Sequence, residues 1–260
     1  RGTYGDMNRK FANIKKNDPD YKVVEKIKNL ILDPKVDFIV NLHDGRGFYR
    51  SQYESEIFNP KAWGQAYIID QKGIDDIKFG NLDEITAQIS EKLNKDLAKD
   101  HHTFGTKNTD TKYKDEEMKM SLTYFAITHL KPALAVEASK NIDELYQKVF
   151  YHLRSIEAIM DVMGIEFERD FELNLDSIKE KIEDIGELKI NDVITLPLEN
   201  LRNINKYIPM KSDENKFSFT HPLGKITKNK SGYNIMIGNR LVGQLQPQIF
   251  NMQCKSKNPI

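Results

Sequence analysis

Two ionisable residues lie in apolar stretches of the sequence, where they could do chemistry. His43 follows the apolar run VDFIVNL (36–42), and Glu137 lies inside ALAVEAS (133–139). Because ligands of α/β sheets collect at the carboxyl ends of strands, a histidine there is well placed to bind a metal or transfer protons. Desolvation would raise the pKa of Glu137, as a general base working near neutrality requires. The structural alternatives are a histidine that caps the strand through hydrogen bonds and a glutamate paired with a buried cation.

Other polar and aromatic residues could recognise a substrate. Asn8 and Arg9 are adjacent, and an amide next to a planar guanidinium suits a carboxylate, which arginine binds through two parallel hydrogen bonds. Trp63, the single tryptophan, could form one wall of a pocket, and the polar stretch 104–111 (FGTKNTDT) is interpreted as a loop bordering it. Arg46 could pair with an anionic group. The alternatives are surface positions for the polar residues and a core anchor for the tryptophan.

The elements that must position these residues alternate between helix and strand in the first half of the chain. Apolar residues at helical spacing predict four helices, and two short apolar runs predict buried strands. The predicted helices cover residues 20–33, 82–99, 115–130 and 142–163, and the predicted strands cover residues 36–44 and 133–139. This alternation predicts an α/β sandwich around a mixed, mostly parallel sheet.

The sequence pattern changes shortly after the fourth predicted helix. Short alternating runs separated by Asn, Gly and Pro replace the long amphipathic segments. Gly238 and Asn239 lie between two such runs, as in a hairpin turn. We therefore predict two domains, an α/β domain over residues 1–166 and a small β-rich domain over residues 167–260.

Composition narrows the classes of function. The chain has 260 residues, with 39 Lys or Arg and 39 Asp or Glu. Zero net charge argues against a general nucleic-acid binder or a polybasic membrane binder, and no apolar run is long enough to predict a membrane span. The Lys- and Asn-rich stretches 202–216 and 225–230 are interpreted as solvated loops, with contact to an anionic polymer as the alternative. Cys254 is the only cysteine, which excludes a disulfide framework and a cysteine-based zinc finger.

Taken together, the candidate residues resemble those of the M14 family of zinc carboxypeptidases. In that family an Asn-Arg pair binds the terminal carboxylate of the substrate, a strand-end histidine in a Leu-His context is the third zinc ligand, and a glutamate on a later strand is the general base. By this resemblance Asn8 and Arg9 bind the carboxylate, His43 binds zinc, and Glu137 is the base. Arg1 would be the family's other substrate arginine.

Three longer segments resemble one branch more closely, the peptidoglycan DL-carboxypeptidases that determine helical cell shape in Gram-negative bacteria. They are RGTYGDMNRKFAN, VDFIVNLHDGRGFY and HLKPALAVEASKN. The resemblance implies a metallocarboxypeptidase-like sandwich followed by a β-rich accessory domain. It also implies a zinc cofactor, a periplasmic location, and removal of the terminal meso-diaminopimelate from muropeptide tripeptides. Trp63 would pack on the diaminopimelate stem, and a complex of cell-shape proteins is the further implied partner.

The sequence departs from the family pattern at the metal site. The family's first two zinc ligands form an x-x-Glu motif upstream of the substrate arginine, and they are not found in this chain. His101 and His102 cannot replace them, because they follow His43 at the wrong spacing. The chain also starts without Met, so we expect its beginning to be missing and draw nothing from absent targeting signals. Two alternatives stay open: a non-catalytic module that binds cell-wall peptides, and a different M14 activity such as an amidohydrolase.

Overall fold

The structure is a computed structural model and describes residues 5–249. Its helices are α1 (Tyr21–Ile31), α2 (Leu82–Leu93), α3 (Thr111–Lys114), α4 (Leu122–Thr128), α5 (Leu145–Val162) and α6 (Leu175–Glu183). Its strands are β1 (Ile39–Gly45), β2 (Phe48–Tyr49), β3 (Phe58–Asn59), β4 (Ala66–Ile69), β5 (Gly105–Asn108), β6 (Ala133–Ser139), β7 (Glu187–Ile190), β8 (Ile194–Pro197), β9 (Ile204–Met210), β10 (Phe217–Phe219), β11 (Gly224–Asn229), β12 (Gly232–Ile237) and β13 (Arg240–Ile249). Over residues 5–249, no helix has the length and apolar character needed to cross a bilayer.

The first unit of the chain is built on a four-stranded sheet with the strand order β1-β6-β4-β5. β1 runs parallel to β6 and β4 runs parallel to β5, whereas β4 and β6 are antiparallel. Two of the three pairings are parallel, which confirms the predicted mixed, mostly parallel sheet. β6 lies between two neighbouring strands, and all of its residues except Glu137 are buried.

Helices pack against both faces of this sheet. On one face Tyr67 of β4 reaches α5, where its hydroxyl lies 3.0 Å from the Ser155 hydroxyl. On the other face Ile68 of β4 and Ala135 of β6 line a cavity together with Thr123 of α4. Because side chains alternate along a strand, neighbouring residues of β4 serve opposite faces. The candidate site residues belong to the face that carries the cavity.

Several elements differ from their sequence predictions, among them a helix and a strand of the first unit, and β9 and β11, which overlap the Lys- and Asn-rich stretches interpreted as loops. The predicted helix over 115–130 is interrupted by a 3-10 turn, Met118–Met120, and α4 starts only after Ser121. The Ser121 hydroxyl accepts a hydrogen bond from the backbone N–H of Tyr124 at 3.1 Å, so it caps a new helix. The predicted burial of β1 on both faces is wrong at Leu42, which is 44% exposed, because β6 is the single partner of β1 among the described strands.

The chain divides into two compact units between Ile178 and Lys179, within α6. The predicted domain boundary at 166–167 lies earlier in the chain. The segment after α5 contacts the first unit through an ion pair between Arg169 and Glu157 of α5. The assignment of the two regions to a carboxypeptidase domain and an accessory domain stays a prediction.

The second unit consists of two small sheets that share one apolar core. Their strand orders are β10-β7-β8 and β11-β12-β13-β9. Leu188 of β7, Ile235 of β12 and Leu245 of β13 are fully buried in the same cluster. β12 and β13 are joined by Gly238 and Asn239, and the φ of +56° at Gly238 suits a tight hairpin turn at the place where the sequence predicts one.

Candidate active site

β1 and β6 bring His43 and Glu137 side by side. The two residues lie directly opposite each other in the parallel register of the strands. Both line a cavity of about 530 Å³, to which α4 also contributes. Every residue that lines this cavity lies between Asp6 and Lys140, so the first unit supplies all of them. The location agrees with the rule that ligands gather at the carboxyl ends of parallel strands.

His43 presents a ring nitrogen that is free to bind. Its Nε2 atom is buried and has no hydrogen-bond partner among the described residues. Burial lowers the pKa of His43, an effect that the Asp6 carboxylate opposes and the Arg9 guanidinium reinforces. The imidazole is therefore held neutral near pH 7, and the neutral form is the one that binds a metal ion.

Glu137 is a half-buried residue whose carboxyl group has one buried oxygen. Burial raises the pKa of Glu137 to about 8, and the Asp44 carboxylate adds to the rise, while the Lys140 and Arg9 cations oppose it from a distance. Its Oε2 atom is buried and has no hydrogen-bond partner among residues 5–249. Buried carboxyl oxygens normally have a partner, so an unpaired one indicates a group kept ready for a proton or a ligand.

The turn after β1 holds the strand end in place. A Cβ atom on Gly45 would lie 2.6 Å from the backbone carbonyl carbon of Trp63, so this close approach requires glycine. Gly47 has a φ of +68°, in the left-handed region, and its N–H donates to the Asn141 side-chain oxygen at 2.8 Å. Asn141 follows β6, so this bond ties together the ends of the two strands that carry the candidate site.

Asn8 and Arg9 reach the same cavity from a 3-10 turn, Met7–Arg9. The Asp6 carboxylate starts this turn by accepting the backbone N–H of Asn8 at 3.0 Å. The Asn8 side-chain oxygen accepts the backbone N–H of Leu122, the first residue of α4, at 2.9 Å. The amide oxygen of Asn8 therefore has a structural task, and its NH₂ group is the part left to donate to a ligand. The Arg9 guanidinium lies 4.0 Å from the Asp6 carboxylate.

Trp63 lies in the wall of the cavity, and Lys107 holds it there. It also packs against a buried apolar cluster, so its position fits both roles that the sequence left open, a pocket wall and a core anchor. The backbone N–H of Trp63 donates to the Arg46 carbonyl at 2.9 Å. The Lys107 ammonium donates to the carbonyls of Pro60 at 2.9 Å and Ala62 at 2.8 Å, and it lies 4.4 Å from the centroid of the indole ring. Burial lowers the pKa of Lys107. One half-buried cation thus fixes both the loop and the ring.

Sequence reasoning missed Lys107 because it interpreted residues 104–111 as a loop. Gly105–Asn108 instead forms β5, paired in parallel with β4. Arg46 and Lys140 also line the cavity, and both are exposed, as the sequence favours for Arg46. Their places could have been inferred, because Arg46 and Lys140 follow His43 and Glu137 by three positions, just beyond the ends of two strands that pair in register.

The remaining sequence candidates lie elsewhere. His102 is 2% exposed, stacks on Phe48, and has its Nδ1 atom 2.8 Å from the Tyr151 hydroxyl. Burial lowers the pKa of His102 to about 4. Neither His101 nor His102 lines the cavity, in agreement with the view that they do not replace the zinc ligands. Arg1 lies outside the described residues.

The residues at the cavity fit one position of a metal site. A catalytic zinc ion uses three protein ligands and keeps a fourth position open. The buried ring nitrogen of His43, which has no partner within the described range, is a donor of the required kind. Within residues 5–249, however, no group of three or more His, Cys, Asp or Glu side chains could hold a metal ion. His43 therefore fits as one zinc ligand, and the described residues do not supply a complete set.

A comparison with protein families gives one match. Residues 1–183 match the model Peptidase_M99, the catalytic part of the carboxypeptidase controlling helical cell shape. The match covers well over half of the chain and confirms the resemblance to the cell-shape branch, with M99 in place of M14 as the family label. No curated protein sequence matches the chain.

Solved structures of the cell shape determinant Csd4 from Helicobacter pylori are similar to this chain. The tripeptide-bound structure is 38% identical with a TM-score of 0.84, and the match covers 96% of this chain and 61% of that one. The mDAP-bound form, named as a D,L-carboxypeptidase, gives the same values. The apo structure is 39% identical with a TM-score of 0.83, covering 95% and 60%. The chain thus spans about three fifths of the length of these structures, and the likeness confirms the α/β fold.

Proposed function

Because this chain belongs to the family of carboxypeptidases that control helical cell shape, we propose that it is a zinc-dependent D,L-carboxypeptidase that removes the terminal meso-diaminopimelate from peptidoglycan tripeptides. One observation carries the proposal. His43 Nε2 and Glu137 Oε2 are both buried and have no hydrogen-bond partner among the described residues, and they lie on adjacent strands that border one cavity. The likeness to a D,L-carboxypeptidase whose solved forms hold a tripeptide or mDAP supports it.

Asn8 and Arg9 anchor the end of the substrate in this proposal. The planar guanidinium of Arg9 binds the terminal carboxylate through two charge-assisted hydrogen bonds, and the NH₂ group of Asn8 donates a further one. Fixing the free carboxylate limits the reaction to the last peptide bond, which makes the protein an exopeptidase. Arg1, outside the described residues, would add a second guanidinium to this anchor.

Glu137 moves the proton. Its raised pKa makes the ionised carboxylate a stronger base, so that Oε2 takes a proton from water and then passes it to the leaving amine nitrogen. The apolar surroundings that raise the pKa also keep bulk water from solvating the carboxylate. A binding module has no need of such a base, so the burial of Glu137 favours catalysis over the non-catalytic alternative.

His43 supplies one ligand for zinc in this proposal. Zinc bound at the site would polarise the scissile carbonyl and lower the pKa of the attacking water. The neutral imidazole of His43 is already desolvated and unpartnered, so binding a cation requires no hydrogen bond to be broken among the described residues. The donors that complete the site are not among residues 5–249.

The charges around the cavity suit diaminopimelate. Arg46 and Lys140 line it together with Asp6 and Asp44, and Trp63 offers an apolar surface between them. The distal end of diaminopimelate carries both an ammonium and a carboxylate on an aliphatic stem. A cavity with charges of both signs suits this side chain better than an ordinary apolar one. The proposal also includes a periplasmic location, where peptidoglycan is found, and a complex with other cell-shape proteins.

The test is hydrolysis of a soluble muropeptide tripeptide, with free diaminopimelate as the measured product. We expect release that stops when zinc is chelated and returns when zinc is restored. Tight binding of the tripeptide without release, in the zinc-loaded protein, would overturn the assignment and support a binding module. Equal turnover of peptides that end in ordinary L-amino acids would support a different carboxypeptidase activity.

A further inference from the structure

Positive charge is concentrated in the last part of the second unit. Residues 201–249 contain eight Lys or Arg against two Asp or Glu, whereas residues 1–200 contain 29 Lys or Arg against 37 Asp or Glu. A chain with zero net charge thus combines an acidic part with a basic one. Such an asymmetry indicates that the basic part meets an anionic partner.

Several of these cations are exposed and have no carboxylate partner. In the described part of this stretch, Lys216 forms an ion pair with Asp192 at 2.9 Å. Lys206, Lys225 and Lys228 are exposed, and none of them forms an ion pair with a described residue. Their charge is therefore available to a partner from outside the chain.

The four-stranded sheet of this unit has a polar outer face. Ile226 of β11 lies opposite Ile235 of β12, which is buried in the apolar core. Because side chains alternate along a strand, Thr227, which follows Ile226, and Asn234, which precedes Ile235, point outward. These outward residues form a row across three strands, with Thr227 opposite Asn234 and Asn234 opposite Gln244. The row replaces the apolar side chains that a second packing layer would require.

Three amides on this face are joined by hydrogen bonds. The side-chain oxygen of Asn234 accepts from the Asn229 amide at 2.6 Å and from the Gln244 amide at 3.2 Å. These bonds fix the orientation of the side chains. They leave the NH₂ group of Asn234 and the carbonyl oxygen of Gln244 to face a ligand. A fixed row of donors and acceptors matches the hydroxyl and acetamido groups of a sugar chain.

Lys225 and Lys206 lie at opposite corners of the same face. Lys225 precedes Thr227 by two residues, and Lys206 lies opposite Gln246, two residues beyond Gln244. Their strands, β11 and β9, are the outer strands of the sheet. At about 4.8 Å per strand, the lysine backbones are at least ~14 Å apart. Cations this far apart do not converge on one small anion, but a polymer can meet both.

Tyr207, next to Lys206, adds an exposed aromatic ring to this corner. It is 73% exposed, has a φ of +62°, and lies where the register of β9 and β13 shifts. A left-handed tyrosine is strained, and a bulge of this kind turns a side chain out of the regular alternation. The strained backbone thus places an aromatic ring beside an unpaired cation at the rim of the amide row.

We propose that the outer face of this sheet docks an anionic glycan polymer that carries carboxylates along its length. The two lysines pair with carboxylates, and the amide row between them binds the polar sugar groups. A single-stranded nucleic acid is less suited, because its bases need a series of aromatic platforms and this face presents amides. The proposed function enters only in the choice of peptidoglycan as the polymer, since docking requires no catalysis.

The test is co-sedimentation of the full chain with insoluble peptidoglycan. We compare K206Q/K225Q with K22Q/K26Q, which removes two exposed lysines from α1 and leaves the sheet unchanged. We expect the sheet variant to bind about tenfold more weakly and the helix variant to bind like the parent, with binding falling as salt rises from about 0.1 M to about 0.5 M. Melting curves confirm that each variant is folded, and Asn234→Asp, which adds a negative charge without changing shape, should also weaken binding.

Three outcomes would overturn the proposal. The first is an equal loss of peptidoglycan binding in K206Q/K225Q and K22Q/K26Q. The second is undiminished binding to peptidoglycan whose carboxylates have been converted to amides, and the third is tighter binding to duplex DNA through Lys206 and Lys225. Turnover of the soluble tripeptide is measured in parallel and should be the same in the parent and K206Q/K225Q. A chain that docks but does not hydrolyse contradicts the proposed function alone, and one that hydrolyses but does not dock contradicts this inference alone.

Discussion

The two units of the chain bury different kinds of side chain. In the first unit Gln65, Asp70 and His102 are each at most 2% exposed. Every buried side-chain nitrogen or oxygen that lacks a hydrogen-bond partner, among residues 5–249, belongs to this unit. In the second unit the fully buried cluster is apolar, and Leu188 and Ile235 are typical members.

The difference separates two ways of being functional. A buried polar atom without a partner lowers stability, so its presence indicates that the unit is selected for more than folding. The second unit shows no such compromise in its described core, and the amide row and the two lysines of its proposed docking face lie on the outside of a sheet. Under the two proposals, the first unit does chemistry in a cavity and the second makes contact along an exposed surface.

The largest expected effect is a loss of turnover when the carboxyl group of Glu137 in the first unit is replaced. Replacing Glu137 by glutamine keeps the shape of the side chain and removes the group that accepts the proton. We expect kcat to fall by about 10²- to 10⁴-fold, as is usual for loss of a general base, with zinc content and Tm unchanged. The matched control is Glu172→Gln, which changes an exposed glutamate of the same unit. Near-normal turnover in the Glu137 variant would show that Glu137 is not the general base, and the chemical role given to the first unit would then be wrong.

The second prediction concerns the apolar core of the second unit. Leu188 is fully buried on the central strand of the three-stranded sheet. Truncation to alanine should lower the free energy of unfolding by about 2–5 kcal/mol, because it removes apolar contacts and leaves a cavity. Since every cavity-lining residue lies between Asp6 and Lys140, kcat/KM for a soluble tripeptide should stay within about twofold in the cold, where the variant is folded.

The control for this prediction is Ile204→Ala, a truncation in the same unit at a residue that is 43% exposed. Its effect on unfolding should be within about 0.5 kcal/mol. The free energies of unfolding of the parent protein, Leu188→Ala and Ile204→Ala are measured by chemical denaturation. If Leu188→Ala reduced kcat/KM in the folded protein as strongly as a change in the cavity does, the assignment of catalysis to the first unit alone would be wrong.

The third prediction tests how the cavity recognises the end of its substrate. Arg9→Ala should raise the activation free energy that corresponds to kcat/KM by about 1.5–3 kcal/mol, which is the contribution of a charge-assisted bidentate contact. Amidation of the substrate carboxylate should strongly reduce turnover by the parent protein but have little further effect on the variant. If both proteins lose equally on amidation, Arg9 does not hold the carboxylate.

The sequence predicted the two strands of the site well for a physical reason. A strand buried between neighbours must be apolar throughout, so the charged residue within β6 was conspicuous. The predicted run 133–139 coincides with β6, and the predicted strand 36–44 overlaps β1, Ile39–Gly45. His43 and Glu137 could therefore be singled out from pattern alone, although their pairing in register could not.

What the sequence could not predict depends on contacts between distant segments. β5 is a polar stretch that becomes a strand because β4 pairs with it. β4 is a fully buried apolar run, but only four residues long. The break before α4 depends on the Ser121 cap and on Asn8, whose side chain accepts the first N–H of the helix from 114 residues away. The first unit also extends to Ile178, beyond the predicted boundary, and the segment after α5 contacts that helix through an ion pair that no local pattern reveals.

The smallest expected effect tests whether the cavity wall is positioned by a charge that sequence reasoning missed. Lys107→Met keeps the length of the stem but removes the ammonium that binds two loop carbonyls and lies over the Trp63 ring. We expect KM for the tripeptide to rise about five- to tenfold, or about 1–1.4 kcal/mol, with kcat within about twofold. Because Trp63 is the only tryptophan, its fluorescence should shift to the red as the ring loses its fixed position. Lys61→Met, an exposed lysine of the same loop, should change neither property, and equal shifts in both variants would show that any perturbation of the loop suffices.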